Sequence, residues 1–374
     1  MPKVRLPICR IKYCKSGGDT HVSQVLTGYT LLEKEGCLQI EVVSSRENFR
    51  EKGLYEHNSI VEVEINGHIL VYDMADGYQS IHRKEVFDRQ LDRVSAYYKR
   101  SYDPEYHASM RNASKVMPLG LNYYCTCRGN PYDRFELQGK GFYEVRRYIG
   151  YLRGERRWNE LCNYKNFEST GHYERYKLLF LSRVWDSEHI TTEHIKKHYP
   201  YFSEDEARCE AEKWKKSLNE ATRFRIELIR ELKHSFPNSF VGGIEDTPFA
   251  REVCPDIIAN NKLTNKAAYM KLLKKDYIGI TSVGLHGSIG WKLAEYVAAG
   301  KAIITDKLCY TVPGEFIAGK NYLECGSVID YMNACEFLLD NVNAVHKMEL
   351  ANAQYYRTFL NPKMFVYRTI EQYL

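Results

Sequence analysis

The sequence predicts an α/β protein with two open, mostly parallel sheets, and three features of the chain support this prediction. A β-prone run at residues 8–13 is followed by a glycine-rich break at 16–20 and then by apolar residues at helical spacing. In the second half, short apolar runs alternate with amphipathic stretches, a spacing typical of a parallel sheet covered by helices. A second glycine-rich loop, at residues 284–290, again leads from a strand into a helix. A β-α-β opening of this kind is how doubly wound sheets begin.

The first half is predicted to hold two parallel strands, a hairpin and one further strand. The predicted elements are strands at 8–13 and 38–43, a helix at 21–34, a β-hairpin at 60–72, a partly helical stretch at 82–98 and a strand with its loop at 116–122. The hairpin prediction depends on Asn66-Gly67, which lies between two apolar runs and is a strong turn signal. Residues 129–170 have weak periodicity, so we expect irregular structure or a linker there.

The second half alternates more regularly between strands and helices. The predicted strands are 177–182, 240–243, 277–281 and 301–305, and the predicted helices are a long one within 204–236 and shorter ones at 265–273 and 290–300. This order indicates a second open sheet with helices on both faces. We therefore expect two Rossmann-like domains that face each other across a cleft.

The charge and composition exclude several classes of protein. The chain has 374 residues, with 53 Lys and Arg against 48 Asp and Glu, and its net charge of +5 is weak for a nucleic-acid-binding protein. Eleven cysteines in so long a chain favour free thiols over a disulfide framework. No run approaches the roughly 18 apolar residues of a membrane-spanning helix, and the N-terminus has no apolar secretory core. We expect a cytoplasmic protein without a transmembrane segment, and peripheral membrane association stays open.

The glycine-rich loop at 284–290 is the stretch that points most directly to a ligand. Gly284, Gly287 and Gly290 permit close backbone approach, and the helix that follows offers free N–H groups and a partial positive charge, which suit a phosphate. Lys292 lies in the first helical turn, where a cation could face the same phosphates, and Glu295 could accept hydrogen bonds from ribose hydroxyls. The alternative is a set of tight turns with Lys292 solvated and Glu295 on the surface.

The loop and the helix after it resemble a known family. The run from Gly284 to Ile304, with Glu295 and the Ala298-Ala299-Gly300 step into a strand, is similar to the donor-binding segment of group 1 glycosyltransferases of the GT-B fold. Upstream, residues 179–183 resemble the first strand of that family's second domain, and Arg183 corresponds to the basic residue that reaches the donor diphosphate. The resemblance covers about residues 175–345. Gly287 stands where the family has a second glutamate, so the stereochemistry of transfer stays open.

The resemblance implies three parts and a set of site residues. The parts are an acceptor-side domain at 1–170, a nucleotide-sugar-binding domain at 171–354 and a helical tail at 355–374 that packs back on the first domain. The implied donor-binding residues are Arg183, Gly243, His286, Gly287, Ser288, Ile289, Gly290, Lys292 and Glu295. His286 is in the loop itself, where a donor contact and a structural bond to the backbone are equally compatible with the sequence.

An inverting transfer needs a general base near the acceptor hydroxyl. The candidates follow predicted strands of the first domain: Asp76 is preferred, then Asp73, then Asp19, and His21 is a further alternative. Asp19 also suits a helix N-cap, and Asp76, which precedes Gly77, also suits a turn. A retaining reaction would not require any of them as a base.

The function implied by the resemblance is metal-independent transfer of a sugar from a nucleotide-activated donor to a glycan or another hydroxyl acceptor. No Asp-x-Asp suited to a metal–nucleotide complex is found, and we expect neither a metal nor another cofactor. The first alternative is a nucleotide-sugar epimerase of the same fold. The second is a non-catalytic nucleic-acid-binding protein that uses the basic cluster Arg146, Arg147, Arg153, Arg156 and Arg157.

Overall fold

Two sheets, one in each half of the chain, form the framework of the protein. The computed structural model describes residues 6–15, 20–55, 57–78, 83–135, 141–169, 171 and 173–374. Within these residues the first half forms a six-stranded sheet and the second half a five-stranded sheet, each flanked by helices. The predicted fold class, α/β with two open sheets, is confirmed.

The first sheet is mixed rather than fully parallel. Its strands are β1 (Ile8–Tyr13), β2 (Gln39–Ser44), β3 (Ile60–Ile65), β4 (His68–Asp73), β5 (Ala96–Lys99) and β6 (Val116–Pro118). Their order across the sheet is β2-β1-β3-β4-β5-β6. β3 runs antiparallel to both neighbours, whereas the pairs β1–β2, β4–β5 and β5–β6 are parallel.

The predicted hairpin accounts for the antiparallel strand. β3 and β4 pair from Ile65 opposite His68 to Ile60 opposite Asp73, and the two turn residues Asn66 and Gly67 have φ angles of 48° and 82°. Two successive positive φ angles define the type I′ turn that matches the twist of a two-residue hairpin. The Asn-Gly prediction is confirmed.

The second sheet is entirely parallel. Its strands are β7 (Lys177–Ser182), β8 (Phe240–Ile244), β9 (Tyr277–Ile280), β10 (Ile303–Asp306) and β11 (Leu323–Cys325), in the order β11-β10-β9-β7-β8. β7 is buried on both faces: Leu179 and Leu181 join one apolar core while Leu178 and Phe180 join the other. A parallel strand covered by helices on both sides reads as such a continuous apolar run.

Helices cover both sheets. In the first half the helices are α1 (Ser23–Lys34), α2 (Lys84–Gln90), α3 (Pro104–His107), α4 (Phe142–Arg153) and α5 (Glu155–Leu161). In the second half they are α6 (Thr192–His198), α7 (Glu204–Ser235), α8 (Pro248–Val253), α9 (Asn261–Thr264), α10 (Lys266–Leu272), α11 (Trp291–Ala298), α12 (Val328–Asp340), α13 (Val342–Tyr355) and α14 (Pro362–Ile370). None of the described helices is both long and apolar enough to cross a bilayer.

One prediction for the first half is wrong. Residues 129–170, expected to be irregular structure or a linker, contain α4 and α5. The stretch 82–98, expected to be partly helical, contains α2 and a 3₁₀ turn at Leu91–Arg93, and its end forms β5. Tyr97 and Tyr98 prefer strands because their rings pack on a half-buried sheet, and here both lie in β5.

The C-terminal helix packs on the first half of the chain. α14 lies against α1 at Gly28, where an added Cβ would be 2.2 Å from the carbonyl oxygen of Pro362 and 2.4 Å from Cγ2 of Val366. The hydroxyl of Tyr98 donates to the carbonyl of Thr369 at 2.8 Å. Pro362 is the first residue of α14, a position where its missing N–H costs nothing, and it separates α14 from the preceding helical segment. The division at residue 170 remains a prediction, and the two sheets lie on either side of it.

Candidate functional site

A cavity of about 480 Å³ lies at the carboxyl ends of the central strands of the second sheet. The chain leaves β7 toward β8 on one side and later returns to β9 on the other, so the order of connection reverses between β7 and β9. Ser182 at the end of β7 and Thr281 just after β9 both line the cavity. Open α/β sheets bind ligands at such a switch point, and this volume is that of a small-molecule site.

Both halves of the chain contribute to the cavity wall. Tyr124 and Trp158 come from the first half, and Trp291 at the start of α11 lies beside them, with its ring stacked against Tyr124 at 6.2 Å between centroids. The second half supplies the other lining residues: Phe180, Leu181, Ser182, Arg183, Trp185, Arg225, Glu245, Thr264, Lys266, Tyr269, Thr281, Ser282, Gly284, Gly290, Lys292 and Glu295. The cavity wall therefore combines aromatic rings from both halves with charged and hydroxyl groups.

Arg225 is one of three charged residues of the cavity wall, with Glu245 and Lys266, that the sequence analysis missed. It projects from the middle of α7, is only 6% exposed, and donates to Ser282 Oγ at 3.0 Å and to the carbonyls of Arg183 and Val283 at 2.9 and 3.0 Å. Burial lowers the pKa of its guanidinium to about 10. Its position on the buried stripe of α7, between Thr222 and Leu228, is the signal that could have identified it. Arginine is rarely buried unless its guanidinium is bonded to other groups.

Lys292, a predicted site residue, also faces the cavity. It is the second residue of α11, is half-buried, and holds its ammonium 4.7 Å from the ring centroid of Tyr269. Burial lowers the pKa of Lys292 below its usual value. Gly290 lies at the N-cap position of α11 and lines the cavity, and no side chain caps the first turn of this helix.

Glu295 lies one turn along α11 and is buried, not on the surface. Its two oxygens accept from Lys266 Nζ at 3.0 Å and from the hydroxyl of Tyr269 at 2.6 Å. Burial by itself raises the pKa of this carboxyl, but Lys266, Lys292 and the Tyr269 hydroxyl together lower it below its usual value. Glu295 is therefore a charged carboxylate that already neutralises Lys266.

Arg183 is placed at the rim of the cavity and is already paired. Its guanidinium donates twice to the carboxylate of Glu245, at 2.6 and 3.1 Å, and its side chain is 57% exposed. Because the Glu245 carboxylate already balances the charge of this guanidinium, Arg183 attracts a phosphate less strongly than an unpaired arginine would.

The charges of the cavity do not cancel. Arg183 pairs with Glu245 and Lys266 pairs with Glu295, whereas Arg225 and Lys292 have no ion pair with any described residue. Two cations without ion pairs therefore face one cavity beside the uncapped N-terminus of α11, which itself favours negative charge. The arrangement suits a ligand group with two negative charges.

Four residues of the glycine loop, His286, Gly287, Ser288 and Ile289, do not line the cavity. His286, with a φ of 56°, packs its ring 4.9 Å from that of Trp214 on α7. A Cβ at Gly287 would lie 2.9 Å from the sulfur of Cys309. The carbonyl of Ser288 accepts from Gly284 N, and the carbonyl of Ile289 accepts from Arg100. These four residues are not among those that line the cavity, so they shape the loop.

Gly243 is also a backbone position. In β8 it has a φ of 146°, and an added Cβ would lie 2.6 Å from the carbonyl oxygen of Ile257. It is not among the residues that line the cavity. Glycine is required here by the close approach of the neighbouring backbone.

Asp73, a candidate base, is fully engaged inside the first half. Its side chain is inaccessible to solvent and accepts from Lys99 Nζ at 3.2 Å, Tyr97 at 2.6 Å and the N–H of Ala75 at 2.9 Å. Burial raises the pKa of this carboxyl, but Lys99, His57 and Tyr97 outweigh that effect and hold it well below its usual range. An acid so stabilised as its anion and so enclosed is a poor base for an external hydroxyl.

Asp76, the preferred candidate, lies where the two halves meet. It pairs with Arg100, whose guanidinium also donates to the carbonyl of Ile289, next to the cavity residue Gly290. The Asp76 side chain is 34% exposed, whereas that of Arg100 is buried. Asp19, the third candidate, lies outside the described residues.

His21 links the same network to the cavity. Its Nδ1 receives N–H groups from Arg100 Nη1 at 2.8 Å and from Trp291 Nε1 at 3.0 Å. Asn122 Oδ1 lies 3.0 Å from the same nitrogen, so His21 contacts Arg100, Trp291 and Asn122 at the junction of the two halves.

No group of three or more His, Cys, Asp or Glu side chains that could hold a metal ion is found in the described part of the chain.

Comparisons with known proteins give similarity of overall structure only. No protein-family model matches the chain, and no curated protein matches it either. Among solved structures, Anabaena Alr3699/HepE in complex with UDP and glucose is 11% identical, with a TM-score of 0.39 over 98% of this chain and 100% of that one. The S. aureus MnaA–UDP co-structure is 12% identical, with a TM-score of 0.38 over 94% and 96% of the two chains.

A third solved structure is similar to one half of the protein. The C-terminal domain of a glycosyl transferase group 1 family protein, LpcC from Francisella tularensis, is 11% identical. Its TM-score is 0.34, over 53% of this chain and 97% of that one.

Proposed function

We propose that the protein is a glycosyltransferase that takes a sugar from a nucleotide-activated donor and transfers it to a hydroxyl of a glycan or another acceptor. The observation that carries the proposal is the pair Arg225 and Lys292, two cations without an ion pair among the described residues, in a cavity at the switch point of a parallel sheet. The diphosphate of a nucleotide sugar supplies the two negative charges that would balance them. It is also the leaving group, so the same cations stabilise the charge that develops as the sugar departs.

The cavity has groups for the other parts of such a donor. The nucleobase stacks on the aromatic side formed by Tyr124, Trp158 and Trp291, since every base has a face that packs on an aromatic ring. Glu295 keeps lone pairs on both oxygens beside those that accept from Lys266 and Tyr269, and these accept from ribose hydroxyls. The diphosphate lies between Lys292, Arg225 and the N-terminus of α11.

The acceptor enters from the first half, where Asp76 is the proposed general base. Asp76 is half-buried at the junction of the halves, and its partner Arg100 is bonded to Ile289 beside the donor cavity. This base takes the proton of the acceptor hydroxyl as it attacks the sugar. A retaining course would instead leave Asp76 to orient the acceptor.

Metal-independent transfer is part of the proposal. Arg225 and Lys292 provide two positive charges at the leaving diphosphate. In a metal-dependent transferase a divalent cation stabilises the same negative charge. Turnover unaffected by a chelator would support this part, and turnover restored only by a divalent cation would contradict it.

A thermal-shift panel of nucleotide sugars tests the proposed function, because a ligand that binds the folded state raises the melting temperature. At least one nucleotide sugar and its nucleoside diphosphate should stabilise the wild-type protein, and a protein with Lys292→Met should respond less. Product analysis then separates the alternatives: acceptor-dependent release of nucleoside diphosphate supports transfer, whereas an interconverted nucleotide sugar without release identifies an epimerase. A panel without any stabilising nucleotide would contradict the proposal.

A further inference from the structure

Helix α4 presents an apolar face to solvent. Phe142, Val145 and Ile149 are 83%, 53% and 43% exposed. At 3.6 residues per turn these three side chains fall within about 60° of one another around the helix axis, so they form one continuous stripe. Apolar stripes of surface helices normally face the protein core, and this stripe faces the other way.

The inward face of α4 is polar and well bonded, so the outward orientation of the stripe is fixed. Glu144 is buried and accepts twice from Arg147 at 2.8 Å. The hydroxyl of Tyr151 donates to the carbonyl of Asp133 at 2.5 Å. Turning the apolar stripe inward would bury Arg146 and Arg153 and break these contacts.

Arginines border the apolar stripe. Arg146 and Arg153 lie within about 40° of it around the axis of α4, and Arg156 and Arg157 follow on α5. Arg146, Arg153 and Arg157 are exposed and have no ion pair with a described residue. The surface thus combines unpaired positive charge with exposed aromatic and aliphatic side chains.

We propose that this α4 surface, formed by Phe142, Val145, Ile149, Arg146 and Arg153, binds the headgroup region of an anionic membrane. An amphipathic helix that lies in a membrane interface has this combination: its apolar side chains enter the acyl boundary while its arginines meet lipid phosphates. A second copy of the chain is a poor occupant, because a two-fold contact would bring the same unpaired arginines together from both copies.

Helix α5, which follows α4, contributes one residue to the cavity wall. Trp158, on α5 directly after Arg157, lines the donor cavity and is 46% exposed. The α4–α5 segment therefore carries both this surface and one aromatic residue of the cavity wall. Membrane binding itself does not depend on the proposed function.

Co-sedimentation with lipid vesicles tests the proposal. The full chain is mixed with vesicles of phosphatidylcholine and phosphatidylglycerol, and in parallel with vesicles of phosphatidylcholine alone. One variant carries Arg146→Glu and Arg153→Glu, and another carries Phe142→Ser and Ile149→Ser. The matched control is Ile329→Ser on α12, which removes a side chain that is 71% exposed in the second half. Melting temperatures confirm that each variant is folded.

We expect the wild-type protein and the control to bind the anionic vesicles and to bind phosphatidylcholine alone much more weakly. Each arginine near the surface contributes about fivefold to binding, so reversing two of them should weaken binding by at least about 25-fold. The Phe142→Ser, Ile149→Ser variant should also bind at least about tenfold more weakly, since its apolar insertion is lost. Wild-type protein that fails to bind anionic vesicles, folded variants that bind as well as wild type, or an apolar variant that only loses self-association would each overturn the proposal.

Discussion

Trp291, the first residue of α11, donates its indole N–H to Nδ1 of His21, just before α1, at a distance of 3.0 Å. The two rings meet edge to face with centroids 4.8 Å apart. His21 belongs to the first half of the chain and Trp291 to the second, so this bond joins the halves at the edge of the cavity. His21 also contacts Arg100, which pairs with Asp76, the proposed base.

Lys292→Met should weaken the binding of a nucleoside diphosphate by about tenfold or more, because a hydrogen bond to a charged group contributes about 1.5–3 kcal/mol. Burial lowers the pKa of Lys292, so its charge is lost at a lower pH than that of an ordinary lysine. As the pH rises, wild-type affinity should therefore fall before the pH at which an ordinary lysine loses its charge, and the variant should show a flatter profile. Titration calorimetry at several pH values measures both effects. Lys271→Met, an exposed position on α10, is the control, and equal affinities in the two variants would argue against this role.

Asp76→Asn should reduce turnover by about 10²–10⁴-fold, the usual contribution of general-base catalysis, while donor affinity changes little. The measurement is the rate of nucleoside diphosphate release with the true acceptor, together with the donor dissociation constant. Near-normal turnover in a folded Asp76→Asn protein would assign the base elsewhere or indicate a retaining course.

Asp73→Asn should mainly affect stability. The change leaves the buried ammonium of Lys99 without its carboxylate partner, and breaking a buried ion pair in this way costs about 3–5 kcal/mol. Because the folded-state pKa of Asp73 is depressed, the wild-type protein keeps this contribution above the carboxyl's ordinary value of 3.8 and loses it as the pH falls below that value. Denaturant unfolding at several pH values measures the difference. Asp256→Asn, which removes an exposed pair with Arg230, should cost no more than about 1 kcal/mol.

Gly28→Ala should destabilise the protein, because its methyl group would overlap the backbone of Pro362 and the side chain of Val366. Overpacking of this kind costs about 1–3 kcal/mol. Gly150→Ala provides the contrast: nothing lies within 4 Å of the added Cβ, and alanine is the better helix former by up to about 1 kcal/mol. Relative to wild type, the free energy of unfolding should fall for Gly28→Ala and rise for Gly150→Ala. A Gly28→Ala protein as stable as wild type would show that α14 can move off α1.

The sequence predicted those parts of the fold that depend on local patterns. Asn66-Gly67 specifies its own turn, and the short, continuously apolar run at 178–181 is typical of a strand covered on both faces. α4 was missed because its apolar stripe faces solvent and its helix is held by Glu144 and Arg147, so no core-facing pattern marks it.

For the candidate site, the sequence identified side chains that lie close together in the chain, such as Lys292 and Glu295 on the helix that follows β9. It could not show which charges are already neutralised, because the partners are far away in the chain. Glu245 lies 62 residues from Arg183, and Lys99 lies 26 residues from Asp73. Arg225 joins the cavity only through the packing of α7 against the loop after β9.

Titration of UDP, GDP and ADP into the wild-type protein and into Arg225→Lys tests the central claim most directly, namely that Arg225 and Lys292 bind a diphosphate. Lysine keeps the charge but loses the planar fork that reaches Ser282, Arg183 and Val283 at once. At least one of the three nucleotides should bind the wild-type protein and should bind Arg225→Lys about tenfold or more weakly. Arg230→Lys, on the exposed side of the same helix, should bind as wild type does. Equal affinity in folded wild-type and Arg225→Lys proteins, or no binding of any of the three nucleotides, would show that these two cations do not form a diphosphate site.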